Sequence, residues 1–237
     1  MVEAPLIITL GGVRVKQHQG IWLPDADTHF AGHLDKGPKI DGAGTYQHAK
    51  LEMALKLCKN RVCAIDIGAH VGLWSRTLAR EFETVIAFEP VPEHQECFKR
   101  NLNNPTRKSR VVLHPFALGV EHREIFIDTI PDNSGNARVS QIGSIAQSVK
   151  VKMHRLDDYI FAAHGVNFIK IDVEGWELDV IKGGKDTILR YKPVMVVEQK
   201  PGHGQRYGVS DRAAVDLLLT WGAREAWVKN GDHCLVW

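Results

Sequence analysis

The chain has 237 residues, 44% of them hydrophobic and 24% charged, with a net charge of +2. That length suits one α/β domain with a small elaboration, and the composition supplies a full core and excludes extensive disorder. The balanced charge leaves no electrostatic footprint for nucleic acid or an anionic membrane, so neither is expected as a partner. Cys58, Cys63, Cys97 and Cys234 form no CxxC pair, so free, buried thiols are expected rather than a zinc or redox centre. The opening MVEAPLIITLGG carries Glu3 and no basic run, unlike a secretory signal. No stretch reaches the ~18 apolar residues of a membrane span, and a cytoplasmic setting is the expectation.

Residues 6–23 alternate and break at glycines, predicting a short hairpin, and residues 24–44 read as loop. Thr45 is placed to cap a helix over 46–59. These parts form an N-terminal elaboration over 1–60, ahead of a main domain over 61–237. Regular alternation then begins. Strands are predicted at 62–67, 84–88, 110–114, 166–172 and 193–199, with helices at 71–82, 92–103, from about 176, 185–191 and 210–221. Pro92 suits a first helical turn and Ser210 suits an N-cap. An extra strand pair at 122–128 and 148–153 flanks the polar run DNSGNARVSQIGS. Residues 224–228 and 233–237 close as a hairpin around Asn230-Gly231, a strong turn dipeptide. The pattern predicts a doubly wound α/β fold: a mostly parallel seven-stranded sheet with an antiparallel C-terminal hairpin.

In such a sheet, ligands bind beyond the carboxyl ends of the strands, near the topological switch point. The first main-domain strand runs into Asp66-Ile67-Gly68-Ala69-His70-Val71-Gly72-Leu73, and the second into Glu89-Pro90. Glycine lets backbone turn sharply or approach a ligand. An acid after the second strand is placed to take both hydroxyls of a ribose. The GxxxG spacing differs from the GxGxxG of a pyrophosphate cradle. Asp66 is a poor neighbour for phosphate and a good one for a cationic amino acid. S-adenosylmethionine has an ammonium, a sulfonium and a ribose but no phosphate, and fits this inventory better than NAD.

The segments IDIGAHVGLWS (65–75), AFEPVPEHQECFKRNL (87–102), HPFALG (114–119), LDDYI (156–160), FIKIDVEGWELDVIKGG (168–184) and PVMVVEQ (193–199) resemble the FkbM family of methyltransferases. They run in order over more than half the chain, and the glycine loop paired with IKIDVEGWE is specific to that family. The resemblance implies a Rossmann-like class I methyltransferase fold and S-adenosylmethionine as cofactor. It implies that Asp66, Gly68 and Gly72 hold the methionine part and that Glu89 meets the ribose, with Ala69, His70, Leu73 and Pro90 among the cofactor-binding residues. Phe116, Ala117 and Leu118 would lie along the adenine, and Asp172 would face the methyl donor. The family often has Asn where this chain has His70, and Tyr-Glu where it has Tyr46-Gln47.

Methyl transfer to a hydroxyl needs alignment and a base. Asp172, Glu174 and Glu198 follow strands four and five and are the candidate catalytic acids. Glu174 reads equally as an acid favoured by a helix start, and Glu198 as a partner for Lys200. The run Asp132-Asn133-Ser134-Gly135-Asn136 reads equally as a lid or an exposed turn, His203 as a solvated loop residue, and Trp74 and Trp176 as helix packing. No compact ligand motif indicates a metal. The reading is O-methylation of a small-molecule or saccharide acceptor. An NAD-type oxidoreductase and a non-catalytic S-adenosylmethionine-binding module are the alternatives.

Overall fold

The structure is a computed structural model that describes residues 7–10, 13–104, 108–140, 147–159 and 165–237. Residues 141–144 of the expected polar loop and residues 6, 11 and 12 of the expected hairpin lie outside them. The chain opens with an antiparallel meander, β1 (Ile7–Leu10), β2 (Val13–His18) and β3 (Ile21–Pro24). It has three strands where the sequence reading expected a two-stranded hairpin. Next come helix α1 (His29–Lys36) and a small ladder of β4 (Lys39–Ile40) and β5 (Ala43–Gly44). The sequence reading took this stretch as loop. Its Asp and Gly residues hide a two-turn helix that buries Phe30 and Leu34 and whose Phe30 N donates to Asp27 Oδ1 at 2.8 Å.

Helix α2 (His48–Leu55) begins later than expected. Thr45 does not cap it. Its hydroxyl donates to the Pro38 carbonyl at 2.7 Å, and Gln47 takes the N-cap position with a φ of +53°.

The main sheet then forms. Its strands are β6 (Cys63–Ile67), β7 (Thr84–Phe88) and β8 (Arg110–His114), with α3 (Leu73–Glu81) and α4 (Pro92–Asn101) between them. A side sheet follows, from β9 (Ala117–Leu118), β10 (Arg123–Asp128), β11 (Arg138–Ser140) and β12 (Ser148–His154), in the order β11-β10-β12-β9. The chain returns to the main sheet with β13 (Phe168–Ile171), α5 (Glu177–Gly183), α6 (Lys185–Tyr191), β14 (Val194–Glu198) and α7 (Ala213–Thr220). Arg212, not Ser210, sits at the start of α7, although Ser210 Oγ accepts from Arg212 N at 3.2 Å. The hairpin of β15 (Arg224–Lys229) and β16 (Asp232–Val236) completes the sheet.

The seven strands run β15-β16-β14-β13-β6-β7-β8, and β16 is the antiparallel member. Strands β6, β13 and β14 are buried along their whole length, as expected for a sheet covered on both faces. One face packs Leu51, Leu78 and Phe98 of α2, α3 and α4. The other packs Val180, Ile188 and Val215 of α5, α6 and α7. The result is a doubly wound α/β fold with a mostly parallel seven-stranded sheet. After β6 the chain moves outward to β7 and β8, then returns to β13 on the other side of β6. This is the switch point, where loops diverge and leave a crevice. All four described cysteines are free, three of them buried. Among the described residues, no helix is long and apolar enough to cross a membrane.

Candidate active site

The carboxyl ends of β6, β7, β13 and β14 lead into Gly68, Glu89, Asp172 and Glu198. The ladder holds these ends in line: Gly68 N donates to Phe88 O at 3.0 Å, and Asp172 N donates to Ile67 O at 3.0 Å. Gly68 has φ +75°, and a Cβ there would lie 1.8 Å from the Asp172 carbonyl oxygen. Only glycine lets the first and fourth loops approach this closely.

Two clefts open here. The first is lined by Phe88, Glu89, Phe116, Leu118, Ile127 and Trp176, among others. The second is lined by Phe30, Tyr46, Trp74, Lys170, Glu198 and Lys200, with Asn133 and Asn136 at its rim. Gly68, His70, Gly135, Asp172 and Glu174 line both, so the clefts meet at these five residues.

Most of the expected cofactor residues are brought together. Pro90, Phe116, Ala117 and Leu118 join Glu89 in the first cleft, and Ala69 and Leu73 line the second. Two are placed differently. Gly72 lines neither cleft. Its φ of +86° starts α3, and a Cβ there would meet Leu102 and Phe98 at 2.6 and 2.7 Å, so it serves helix packing. Asp66 is fully buried beneath the loop and also lines neither cleft. It accepts from Ser75 Oγ at 2.7 Å, and Lys170 Nζ lies 3.9 Å from its other oxygen. Asp66 and Lys170 are register partners on β6 and β13, so the acid faces a lysine instead of the cleft. Burial still pushes the Asp66 carboxyl up against the pull of Lys170.

Glu89 is fixed by backbone. Its oxygens accept from His70 N and Val91 N, each at 2.8 Å, with His94 Nδ1 at 3.2 Å. His70 in turn contacts Ser134 Oγ through Nε2 at 2.7 Å. The Ser134 hydroxyl donates its one proton to Asp27, and Ser134 N donates to the same oxygen at 2.9 Å. Ser134 Oγ therefore accepts from His70, which assigns the Nε2–H tautomer. Burial, then His94 and Lys170, holds the His70 imidazole well below its usual pKa, so it is neutral. The chain Asp27–Ser134–His70–Glu89 joins the N-terminal elaboration, the polar loop and the ribose-side acid. Gly135 lies directly over Phe30, where a Cβ would come within 2.4 Å of the ring. The polar loop is thus a packed roof between the clefts and not an exposed turn.

Lys170, Asp172, Glu198 and Lys200 share one face of the sheet by strand parity. Lys170 Nζ lies 3.2 Å from Asp172 Oδ2, and Lys200 Nζ lies 2.7 Å from Glu198 Oε1 and 3.9 Å from Glu174 Oε1. Burial would raise Asp172, but Lys170 and Lys200 outweigh it and hold this carboxyl below its usual range. Burial, then the Asp172 charge, pushes Glu174 up to about 7 and Glu198 up to about 10. Lys170 and Lys200 are raised, because the surrounding carboxylates outweigh their burial. His203 is not a solvated loop residue. Its Nδ1 lies 3.3 Å from Glu174 Oε2. Burial, then Arg206 and Lys200, lowers it to about 4. Trp176 packs against the core as expected and also lines the first cleft, where its Nε1 has no hydrogen-bond partner. Trp74 lines the second cleft and donates to Gln47 Oε1 at 3.2 Å.

The first cleft fits S-adenosylmethionine. It offers aromatic and aliphatic walls for a flat base, a fixed carboxylate for a diol, an unpartnered indole N–H, and acids where a sulfonium would sit. Glu89 and Phe116 would hold the nucleoside, and Asp172 and Glu174 would face the charged end.

The profile described as Methyltransferase FkbM domain matches residues 66–225. Methyltransferase 1 of Beauveria bassiana (strain ARSEF 2860) is 29% identical over 145 residues, 52% of this chain and 58% of that protein. 2-O-methyltransferase NoeI of Sinorhizobium fredii (strain NBRC 101917 / NGR234) is 29% identical over 177 residues, 65% of this chain and 70% of its own length. The crystal structure of Methyltransferase FkbM from Methylobacillus flagellatus KT aligns with a TM-score of 0.49 and 21% identity, over 74% of this chain and 43% of that one. The chain thus spans little more than half of the Beauveria protein and less than half of the Methylobacillus chain. The match covers most of the chain and contains every strand-end acid described above: the chain belongs to the FkbM methyltransferase family, whose fold and cofactor, S-adenosylmethionine, it shares.

Proposed function

We propose that this protein transfers a methyl group from S-adenosylmethionine, bound in the first cleft, to a hydroxyl oxygen of a saccharide or small metabolite in the second. The observation that carries this reading is the junction of the two clefts at Gly68, His70, Gly135, Asp172 and Glu174. When bound, S-adenosylmethionine supplies an electrophilic methyl on a sulfonium. The chain's own residues supply alignment, charge and a proton acceptor.

Glu89 takes the ribose hydroxyls, because its carboxylate is already oriented by two backbone N–H groups and keeps unused lone pairs. Asp172, held ionised by Lys170, sets negative charge beside the sulfonium position. Glu174 takes the hydroxyl proton. It lines both clefts, and its Oε2 has no hydrogen-bond partner. Glu198 lies only on the acceptor side and orients the acceptor with Lys200. Phe30, Tyr46 and Trp74 offer apolar faces, and Asn133 and Asn136 offer amides, a combination suited to a polyhydroxylated ring. Gly135 packs closely on Phe30 above the junction. The 2-O-methyltransferase in NoeI's name supports an oxygen acceptor by analogy.

Family membership displaces the dinucleotide oxidoreductase alternative. The rival is a binding module without turnover, and one assay separates the two. Methyl-labelled S-adenosylmethionine is incubated with a panel of saccharides and hydroxylated metabolites. The expected result is label on a hydroxyl oxygen, with turnover reduced about 100-fold or more by Glu174→Gln. Transfer to an amine, or full activity in that variant, would overturn the assignment.

A further inference from the structure

We propose that Glu174, Glu198 and His203 bind one divalent cation, of the class that accepts mixed carboxylate and imidazole ligands, at the acceptor end of the junction. One donor atom from each side chain lies within 4.8 Å of the others. Pairs of ligands on one cation at bond lengths of roughly 2.0–2.2 Å lie about 3.0–4.4 Å apart, so side-chain shifts of up to about an ångström close the site. The sequence carries no compact ligand motif because the ligands come from three separate places. They are the turn after β13, the end of β14 and the loop that follows it.

A cluster of acids alone would not make a site. Here Glu198 Oε2 has no hydrogen-bond partner on a residue only 2% exposed, and Glu174 Oε2, on a residue 6% exposed, has none beyond His203 Nδ1 3.3 Å away, outside hydrogen-bond geometry. A buried carboxylate oxygen left without a donor is costly. Lys200 is drawn to the first oxygens, Oε1 of each, so the unpartnered Oε2 atoms are free for another cation. Asp172, Glu174 and Glu198 lie together against Lys170 and Lys200, Glu177 spends its oxygen on Val173 N and Gly175 N, and Asp232 is paired with Lys50.

The loop that carries His203 is set in place. Asp211 accepts from Gly202 N at 2.7 Å and Gly204 N at 2.9 Å, clamping the chain on either side of the histidine. Gly175 lets this loop lie on the Glu174 turn, since a Cβ there would sit 2.5 Å from the His203 carbonyl oxygen. Mixed oxygen and nitrogen donors suit Mn²⁺ or Zn²⁺ better than Mg²⁺ or Ca²⁺. Glu174 and Glu198 line the acceptor cleft, so an acceptor hydroxyl can complete the coordination. The cation would polarise that hydroxyl, and its proton passes to the Glu174 oxygen that does not ligate. That consequence rests on the methyltransferase reading; the cation site does not.

The test uses the full chain, stripped with a chelator and titrated with Mn²⁺. Binding is followed by loss of the free-ion electron paramagnetic signal, with Zn²⁺ as competitor and S-adenosylmethionine affinity measured in parallel. The expected result is one Mn²⁺ per chain, displaced by Zn²⁺ and weakened at least about tenfold by His203→Ala and by Glu198→Gln, both of which still bind S-adenosylmethionine. No stoichiometric binding to the wild type, or equal binding in both variants, overturns the proposal. Mn²⁺ binding without S-adenosylmethionine binding would sink the donor reading and leave the cation site standing. The reverse result would sink the cation site alone.

Discussion

Replacing Lys170 with methionine keeps the length and most of the packing of this side chain but removes the cation between two acids. Lys170 Nζ lies 3.2 Å from Asp172 Oδ2, 3.9 Å from Asp66 Oδ1 and 5.3 Å from the Trp74 ring centroid, and the residue is 5% exposed. At an effective dielectric near 20, the two attractions are about 5 and about 4 kcal/mol before desolvation is subtracted. Most of that gross figure is cancelled by the cost of burying the charges. What remains on breaking such a cluster is the cost of uncompensated carboxylates, about 3–5 kcal/mol. Urea unfolding at neutral pH should therefore show Lys170→Met less stable by about that amount. Asp66→Asn should relieve part of the loss, so the double variant is more stable than the sum of the single effects by about 1–3 kcal/mol. A loss below about 1 kcal/mol, or strict additivity, would refute the claim that Asp66 is held by Lys170.

Three further outcomes follow from particular contacts. Burial pushes Glu177 up to about 7, although Val173 N and Gly175 N hold its carboxylate. Its folded value lies above the unfolded one, so stability is lost as pH rises from 4.5 through about 7. Glu177→Gln, which keeps an acceptor oxygen, should gain about 1–3 kcal/mol on the wild type at pH 8 and nothing near pH 4; parallel stability profiles would contradict this. Ser134→Ala removes the hydroxyl between Asp27 and His70 and should cost about 1–3 kcal/mol in thermal or urea melts, with weaker S-adenosylmethionine binding. Unchanged values of both would show that the bridge is idle. Gly68→Ala places a Cβ against the Asp172 carbonyl and should abolish S-adenosylmethionine binding or folding, whereas a variant that binds like the wild type would rule out the close approach.

Much of the fold was legible because the strands of a covered parallel sheet read as short apolar runs. The bounds of β7, β8 and α6 match the sequence expectation, and Asn230-Gly231 turns the final hairpin with both residues at positive φ. The meander and α1 were misread because their periods are short and glycines interrupt them. At the site, Glu89, Asp172 and Glu174 were legible from their positions after strands, and Phe116 only from the family resemblance. The inward turn of Asp66 could not, since it depends on the β6–β13 register that sets Lys170 beside it. Lys170, Lys200, Phe30 and Tyr46 were missed as cleft residues because each looks like an ordinary strand, loop or helix-flank residue until the chain folds. Strand parity was the available signal for Lys170: it lies two residues before Asp172, on the same face. His203 gave no signal, because its approach to Glu174 depends on the Asp211 clamp and on Gly175.

The central claim is that the cleft bounded by Glu89 and Phe116 holds S-adenosylmethionine. Calorimetric titration of that ligand into the wild type and Glu89→Ala, with NAD as a control and a thermal melt to confirm folding, tests it most directly. The account predicts one S-adenosylmethionine site that ignores NAD and loses about 10- to 100-fold in affinity when the ribose acid is removed. No binding to the folded wild type, or binding that is indifferent to Glu89, would contradict it.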